Sequence, residues 1–132
     1  MSDRVRISKE DISLILDELE SNRPYEACGV LVGTNEGDIF AVKRAVPVEN
    51  CRRTERSFEL EPMQFYRVWD SAEKEGLDVI GVYHTHPSSL ARPSDWDRRS
   101  MENSPAIWVI AGVDGIFAYR LVDGTIETVE IV

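Results

Sequence analysis

Two Asp-Gly dipeptides, Asp114-Gly115 and Asp123-Gly124, punctuate the C-terminal part of the chain. Asp-Gly accepts the positive-φ backbone of tight two-residue turns, and between apolar runs it is a strong short-range hairpin signal. Ala106 to Val113, Phe117 to Val122 and Thr125 to Val132 therefore read as three consecutive strands. This end of the chain is committed to sheet, and the rest must supply whatever covers it.

Upstream, strand-like and helix-like segments alternate. Val5 to Ile7 reads as a short edge strand. Ser8 reads as an N-cap with Asp11 completing a capping box. Ile12, Ile15, Leu16 and Leu19 then predict an amphipathic helix from Lys9 to about Ser21, which Asn22-Arg23-Pro24 ends. Ala27 to Val32 has strand length. Gly33-Thr34-Asn35-Glu36-Gly37 reads as a hairpin turn, and Ile39 to Val48 as the returning strand. Glu49 to Arg56 is a polar loop, and Ser57 to Leu60 a further short strand. A second helix has Pro62 at its first position and Gly76 just past its end. Its Met63, Tyr66, Trp69 and Ala72 read as a core stripe. Asp78 to His84 follows as a strand, Thr85 to Pro93 as a loop, and Ser94 to about Asn103 as a short third helix. This order predicts an α/β fold, a mixed β-sheet flanked by helices, in one domain spanning 1–132.

The balance of charge narrows the function. There are 24 acidic and 15 basic residues among 132, a net charge of −9. That surface argues against a nucleic-acid partner. The 2 cysteines can build neither an all-cysteine zinc site nor a disulfide framework. No apolar run is long enough to span a membrane. Met-Ser-Asp-Arg-Val-Arg begins the chain without a signal-peptide apolar region, so a cytoplasmic setting is expected.

Three features bear on chemistry. His84-Thr85-His86-Pro87 closes the apolar run Val79-Ile80-Gly81-Val82-Tyr83, and it contains both histidines of the chain. Residues two apart on a strand point the same way, so both imidazoles can meet at one ion. Ser94-Asp95-Trp96-Asp97 comes next. Read locally, it is a serine cap with Asp97 at the third helical position. Read with the histidines, Asp97 is the carboxylate that completes a two-histidine, one-carboxylate set with one open position. Asp95 is the competing carboxylate, expected to face away and complement the helix dipole. The third feature is Glu26, at the mouth of the strand in Glu26-Ala27-Cys28-Gly29-Val30. By itself it is an ordinary surface acid. Beside a metal it is a candidate base.

Together, Glu26-x-Cys28-Gly29, His84-x-His86 and Ser94-x-x-Asp97 resemble the complete JAMM motif of the MPN+ metalloproteases. The surrounding segments agree with that family along most of the chain. The resemblance implies the MPN fold, which is similar to the cytidine-deaminase core. The Pro-Cys-x-x-Cys signature of the deaminases themselves is absent. It further implies one zinc ion per chain held by His84, His86 and Asp97, with a water at the fourth position. Glu26 then serves as general base and Ser94 as a donor to the oxyanion. The short Glu-Ala-Cys-Gly-Val-Leu-Val-Gly stretch resembles prokaryotic forms. The expected substrates are therefore ubiquitin-like or sulfur-carrier proteins, cut after a Gly-Gly tail at an amide or isopeptide bond. Arg52, Arg53 and Arg56 are candidate contacts to such a partner. Two rival readings remain open: a non-catalytic MPN scaffold module, and a metal-dependent hydrolase of small amides. Cys28 reads as a core residue. Cys51, in the polar arginine-bearing loop, reads as a passive surface thiol, with a low-pKa reactive thiol as the lesser alternative. The oligomeric state is not legible.

Overall fold

The computed structural model describes residues 4–103 and 106–132. Its elements run β1 (Arg4–Arg6), α1 (Lys9–Ser21), β2 (Cys28–Glu36), β3 (Ile39–Val48), α2 (Pro62–Lys74), β4 (Asp78–Thr85), α3 (Asp95–Met101), β5 (Ile107–Gly112), β6 (Gly115–Val122) and β7 (Thr125–Ile131). The strands lie in the order β1-β3-β2-β4-β5-β6-β7. The sheet is mixed, as expected: β4 and β5 are parallel, while the β2–β3, β2–β4, β5–β6 and β6–β7 pairs are antiparallel. The short β1 pairs in parallel with both β3 and β7, so the sheet closes on itself. Pairing both outer strands protects them from association edge to edge.

Asp123-Gly124 marks a turn as read, but the other turn lies one residue earlier than Asp114-Gly115: Val113-Asp114 forms it, and Gly115 opens β6. Val122 pairs with Thr125, and Asp123 and Gly124 between them have φ of 49° and 78°. Positive φ at both central positions is the twist a two-residue hairpin requires. At the other hairpin Gly112 pairs with Gly115.

Helices cover both faces. Ile15 of α1, with Ile12 and Leu14 beside it, packs into one core with Leu31, Phe40, Tyr83, Ile107, Val109 and Val129. A second cluster holds Cys28, Phe58, Val82, Trp108 and Ile110 under Met101 of α3. A third holds Val30, Val32 and Val48 under Ala72 of α2, with Phe65 and Val68 partly buried against it.

Several boundaries differ from the sequence reading. β2 continues to Glu36, so the turn lies at Gly37-Asp38 rather than across 33–37. Residues 57–60 make only an isolated bridge, Asn50 to Leu60. Ser8 caps α1 by accepting from the Asp11 N–H, but the Asp11 carboxylate accepts from Ala45 N–H at 3.2 Å instead of closing the box. The predicted core stripe of α2 is the clearest correction. Met63, Tyr66 and Trp69 are 55%, 54% and 45% exposed. A repeat of three residues slips about 60° per step around a helix, so Met63 and Ala72 lie on opposite sides. The stripe that stays on one face is Phe65, Val68 and Ala72.

One close approach explains the glycine in Glu26-x-Cys28-Gly29. Gly29 pairs with Tyr83 across β2 and β4. A Cβ at Gly29 would stand 2.1 Å from the Tyr83 ring. Tyr83 is fully buried, and its hydroxyl donates to Glu18 of α1 at 2.9 Å. The ring therefore cannot swing aside without breaking the α1 contact. We predict that Gly29→Ala destabilises the fold by about 1–3 kcal/mol or more through overpacking. Thermal unfolding checks this; an unchanged midpoint would show that the ring relaxes freely.

Candidate metal centre

Strand pairing assembles the site. β4 runs antiparallel to β2 with His84 opposite Cys28. Beyond that pair, the Thr85 N–H donates to the Ala27 carbonyl at 3.0 Å, and the Ala27 N–H donates to the Thr85 hydroxyl at 2.8 Å. The same register carries Glu26 alongside His86. The parallel crossover from β4 to β5 runs through α3, which returns the start of α3 to the carboxyl end of β4. Ligand sites favour that end of such units.

His84 and His86 project to one side, as their spacing predicts. Their Nε2 atoms are 3.1 Å apart. Asp97 completes a triangle: Oδ2 lies 3.1 Å from His86 Nε2, and Oδ1 lies 3.1 Å from His84 Nε2. The Oδ1 contact is close but makes no well-aligned hydrogen bond. Glu26 stands beside the pair, with ligand atoms of Glu26, His84 and His86 all within 4.8 Å of one another. All four side chains are buried. Asp95 is exposed and takes no part.

Asp97 both closes a helix cap and faces the histidines. The Ser94 hydroxyl accepts from the Asp97 N–H at 3.1 Å, and Asp97 Oδ2 accepts from the Ser94 N–H at 2.9 Å, a full capping box. The same carboxylate faces the histidines. Because the Ser94 oxygen accepts in the cap, its own proton is left to donate elsewhere.

Each ligand candidate has a distinct electrostatic setting. Burial opposes ionisation of Asp97, but the two imidazoles and the Ser94 N–H outweigh it and hold the carboxyl far below the usual range. Burial keeps His84 neutral against the pull of Asp97. Burial also disfavours charge on His86, yet its bonds to Asp97 and to the Leu90 carbonyl raise its pKa. Burial pushes the Glu26 carboxyl up to about 8, with His86 opposing and Asp97 adding to the rise. Glu26 Oε1 is buried without a hydrogen-bond partner among the described residues.

This donor set fits a divalent ion of zinc type. Zinc bonded to imidazole nitrogen and carboxylate oxygen at about 2.0–2.1 Å in tetrahedral geometry spaces its ligand atoms about 3.3 Å apart. The two Nε2 atoms stand 3.1 Å apart, and each lies 3.1 Å from a different oxygen of the Asp97 carboxylate, close to that spacing. His86 Nδ1 donates to the Leu90 carbonyl at 2.9 Å, which leaves its Nε2 lone pair facing the triangle. The orphaned Asp97 Oδ1 and Glu26 Oε1 are the kind of buried oxygens a cation satisfies.

Residues 8–122 match the family described as prokaryotic homologs of the JAB domain. The chain belongs to this family. It is 36% identical over 93 residues to a desampylase of Haloferax volcanii, covering 70% of this chain and 66% of that protein, just under two thirds of its length. It is 27% identical over 120 residues to the CysO-cysteine peptidase of Mycobacterium tuberculosis, covering 87% of this chain and 81% of that one. A solution structure of a Desulfitobacterium hafniense protein shares the fold, with a TM-score of 0.87 over 97% of this chain and 91% of the other at 24% identity. JAB-family proteins are zinc-dependent in general.

Other sequence-based candidates fare differently. Cys51 is exposed, and partial desolvation with the carboxylates of Glu61, Glu49 and Glu59 raises its pKa, in keeping with a passive surface thiol and against the arginine-activated alternative. Cys28 is buried, and burial pushes its thiol up to about 12. The Arg52 guanidinium lies 4.3 Å from the Trp96 ring centre, and its Nε donates to Ser57 Oγ at 2.9 Å. Arg53 lines a groove of about 520 Å³ that also borders Glu26, Arg23, Tyr25 and Asn50. Arg56 is exposed on the same loop. No helix of the described residues is long and apolar enough to cross a membrane.

Two walls of the site escaped the sequence reading. Phe58 stacks on His84 with ring centres 4.5 Å apart, and Trp108 meets the same ring edge-on at 5.6 Å. Phe58 stands in a short segment after a polar loop and Trp108 in an apolar strand, and only the tertiary fold turns them onto His84.

The raised Glu26 pKa has a signed consequence for stability. Above about 4.5 the unfolded chain gives up this proton, while the folded protein keeps it until about 8. Stability from this group therefore falls as pH rises through that window, by up to about 1.4 kcal/mol per pH unit. In chelator, Glu26→Gln should match the parent near pH 5 and exceed it by a few kcal/mol near pH 8 (on the order expected from linkage). Parallel stability–pH curves for the two proteins would show that Glu26 is not held protonated.

Proposed function

We propose that this chain is a zinc-dependent isopeptidase or peptidase acting on ubiquitin-like or sulfur-carrier proteins at the bond after a Gly-Gly tail. The observation that carries this reading is the buried triangle of His84 Nε2, His86 Nε2 and the two Asp97 carboxylate oxygens, with contacts of 3.1 Å, bordered by an unpartnered Glu26 oxygen. The relatives named desampylase and CysO-cysteine peptidase support the substrate class.

In this reading His84, His86 and Asp97 hold one zinc ion per chain. When bound, the ion supplies Lewis acidity and a lowered pKa for water at its open position. Glu26 takes the proton of the attacking water and returns it to the leaving amine. A carboxyl buried this deeply shifts between its two forms near neutral pH, which suits a group that must both accept and release a proton. Ser94 donates its spare hydroxyl proton to the oxyanion of the tetrahedral intermediate. Phe58 and Trp108 exclude water from His84 and fix its ring plane. The groove beside Glu26 is the candidate path for an extended tail, with Arg53 on its wall. Arg52 and Arg56 meet acidic groups of the same partner from the neighbouring loop. The setting is cytoplasmic.

Three variants separate these roles. Glu26→Gln should retain about one zinc per chain and lose cleavage of a Gly-Gly-linked conjugate. Asp97→Ala should lose the zinc. Ser94→Ala should keep the zinc and lower kcat by about 10²–10³-fold, the usual effect of removing one oxyanion donor. Zinc analysis of the purified proteins and gel assays of conjugate cleavage read all three. A folded parent that takes up no zinc would favour the scaffold reading. Cleavage of short model amides but of no protein conjugate would favour the small-amide hydrolase.

A further inference from the structure

Thr85 ends β4, and the chain then runs through Pro87 to Pro93 before α3 begins. This connection has no strand or helix of its own, yet the β5–β6 hairpin ties it down at several points. The His86 N–H donates to the Ala111 carbonyl at 2.7 Å, and the Val113 N–H donates to the Ser89 carbonyl at 2.9 Å. Gly112 lies against the connection so closely that a Cβ there would stand 2.5 Å from the Ala91 nitrogen.

Ala91 is the tightest point. It is fully buried. Its N–H donates to Asp114 Oδ1 at 2.7 Å, and its carbonyl accepts from the buried Tyr119 hydroxyl. Both peptide groups flanking this residue are thus fixed by side chains from one hairpin. The neighbouring Leu90 carbonyl is the acceptor of the His86 Nδ1 proton at 2.9 Å. Leu90 O belongs to the same peptide unit as Ala91 N, so fixing one atom fixes the other.

We propose that Asp114 and Tyr119 are positioning residues for the metal centre. They hold the Leu90–Ala91 peptide so that the Leu90 carbonyl keeps the proton of His86 on Nδ1 and its Nε2 lone pair toward His84 and Asp97. Neither side chain reaches the ligand triangle. Asp114 acts on the Leu90–Ala91 peptide itself, and Tyr119 acts on the adjoining Ala91–Arg92 peptide, so the two fix Ala91 from both sides. The hairpin turn thereby contributes to the metal centre, although it lies in the part of the sequence that reads as purely structural. Partners that fix the free nitrogen of a ligating histidine commonly affect metal affinity about 10–100-fold. This inference rests on His86 being a zinc ligand, as proposed above.

The test compares zinc affinity by chelator competition in the parent, Tyr119→Phe, Asp114→Ala, Asp114→Asn and Tyr83→Phe. The expected result is a loss of about 10–100-fold for Tyr119→Phe and Asp114→Ala. Asp114→Asn should stay near the parent, since an amide oxygen can still accept from Ala91. Tyr83→Phe removes a comparable buried hydroxyl bond, to Glu18. It should lower thermal stability while leaving zinc affinity unchanged. In the zinc-loaded proteins, ¹⁵N imidazole spectra should show a His86 Nδ1–H protected from exchange with water in the parent and exchanging faster in Tyr119→Phe. Parent-like affinity and Nδ1–H protection in Tyr119→Phe and Asp114→Ala would overturn the proposal while leaving the zinc site intact, as would an equal affinity loss in Tyr83→Phe. A parent that binds no zinc would overturn the zinc site itself and this inference with it.

Discussion

The carboxylate of Asp97 does two jobs that would normally compete. One oxygen accepts from the Ser94 N–H and lies 3.1 Å from His86 Nε2, and the other faces His84. A buried charge is costly unless it is both paired and hydrogen-bonded. Capping the short helix α3 supplies the hydrogen bond, and the histidines supply the partner. The helix and the site therefore depend on each other. Without the bond from the Ser94 backbone N–H the carboxylate loses its orientation, and without the histidines a charged group would sit fully buried at the start of a seven-residue helix.

The rest of the fold delivers groups to that carboxylate. The β2–β4 register sets Glu26 beside His86, and the parallel β4–β5 crossover brings α3 back to the end of β4. Tyr83, next to His84 on β4 and packed into the α1 core, fits only because Gly29 has no side chain. Tight backbone approach on one face of the sheet thus supports polar chemistry on the other. The overall acidity of the chain has a local counterpart here: in the metal-free site the imidazoles and the Ser94 N–H pull the Asp97 pKa down, while burial pushes that of the neighbouring Glu26 up.

Much of this was legible in the sequence, for identifiable reasons. Asp123-Gly124 demands a particular backbone, so the hairpin was readable from two residues. His84 and His86 are adjacent on one face because strand geometry makes alternate residues parallel. The motif spacing pointed to Asp97 and Glu26 together. What failed depended on angles that spacing alone does not fix. The three-residue repeat Met63, Tyr66, Trp69 winds around α2 and ends up exposed, while Phe65 and Val68 face the sheet. The lesser alternative for Cys51 fails likewise, since it is near arginines in sequence but near Glu61, Glu49 and Glu59 in space. Phe58 and Trp108 reach His84 from a distant loop and a neighbouring strand, and no local pattern announces that.

The central claim is that one zinc ion is held by two imidazoles and a carboxylate, with no cysteine. X-ray absorption at the zinc edge of the loaded protein tests it directly. The account predicts a shell of nitrogen and oxygen only, at about 2.0–2.1 Å, with the outer scattering of two imidazoles. A sulfur shell at about 2.3 Å, or a spectrum without imidazole scattering, would contradict it.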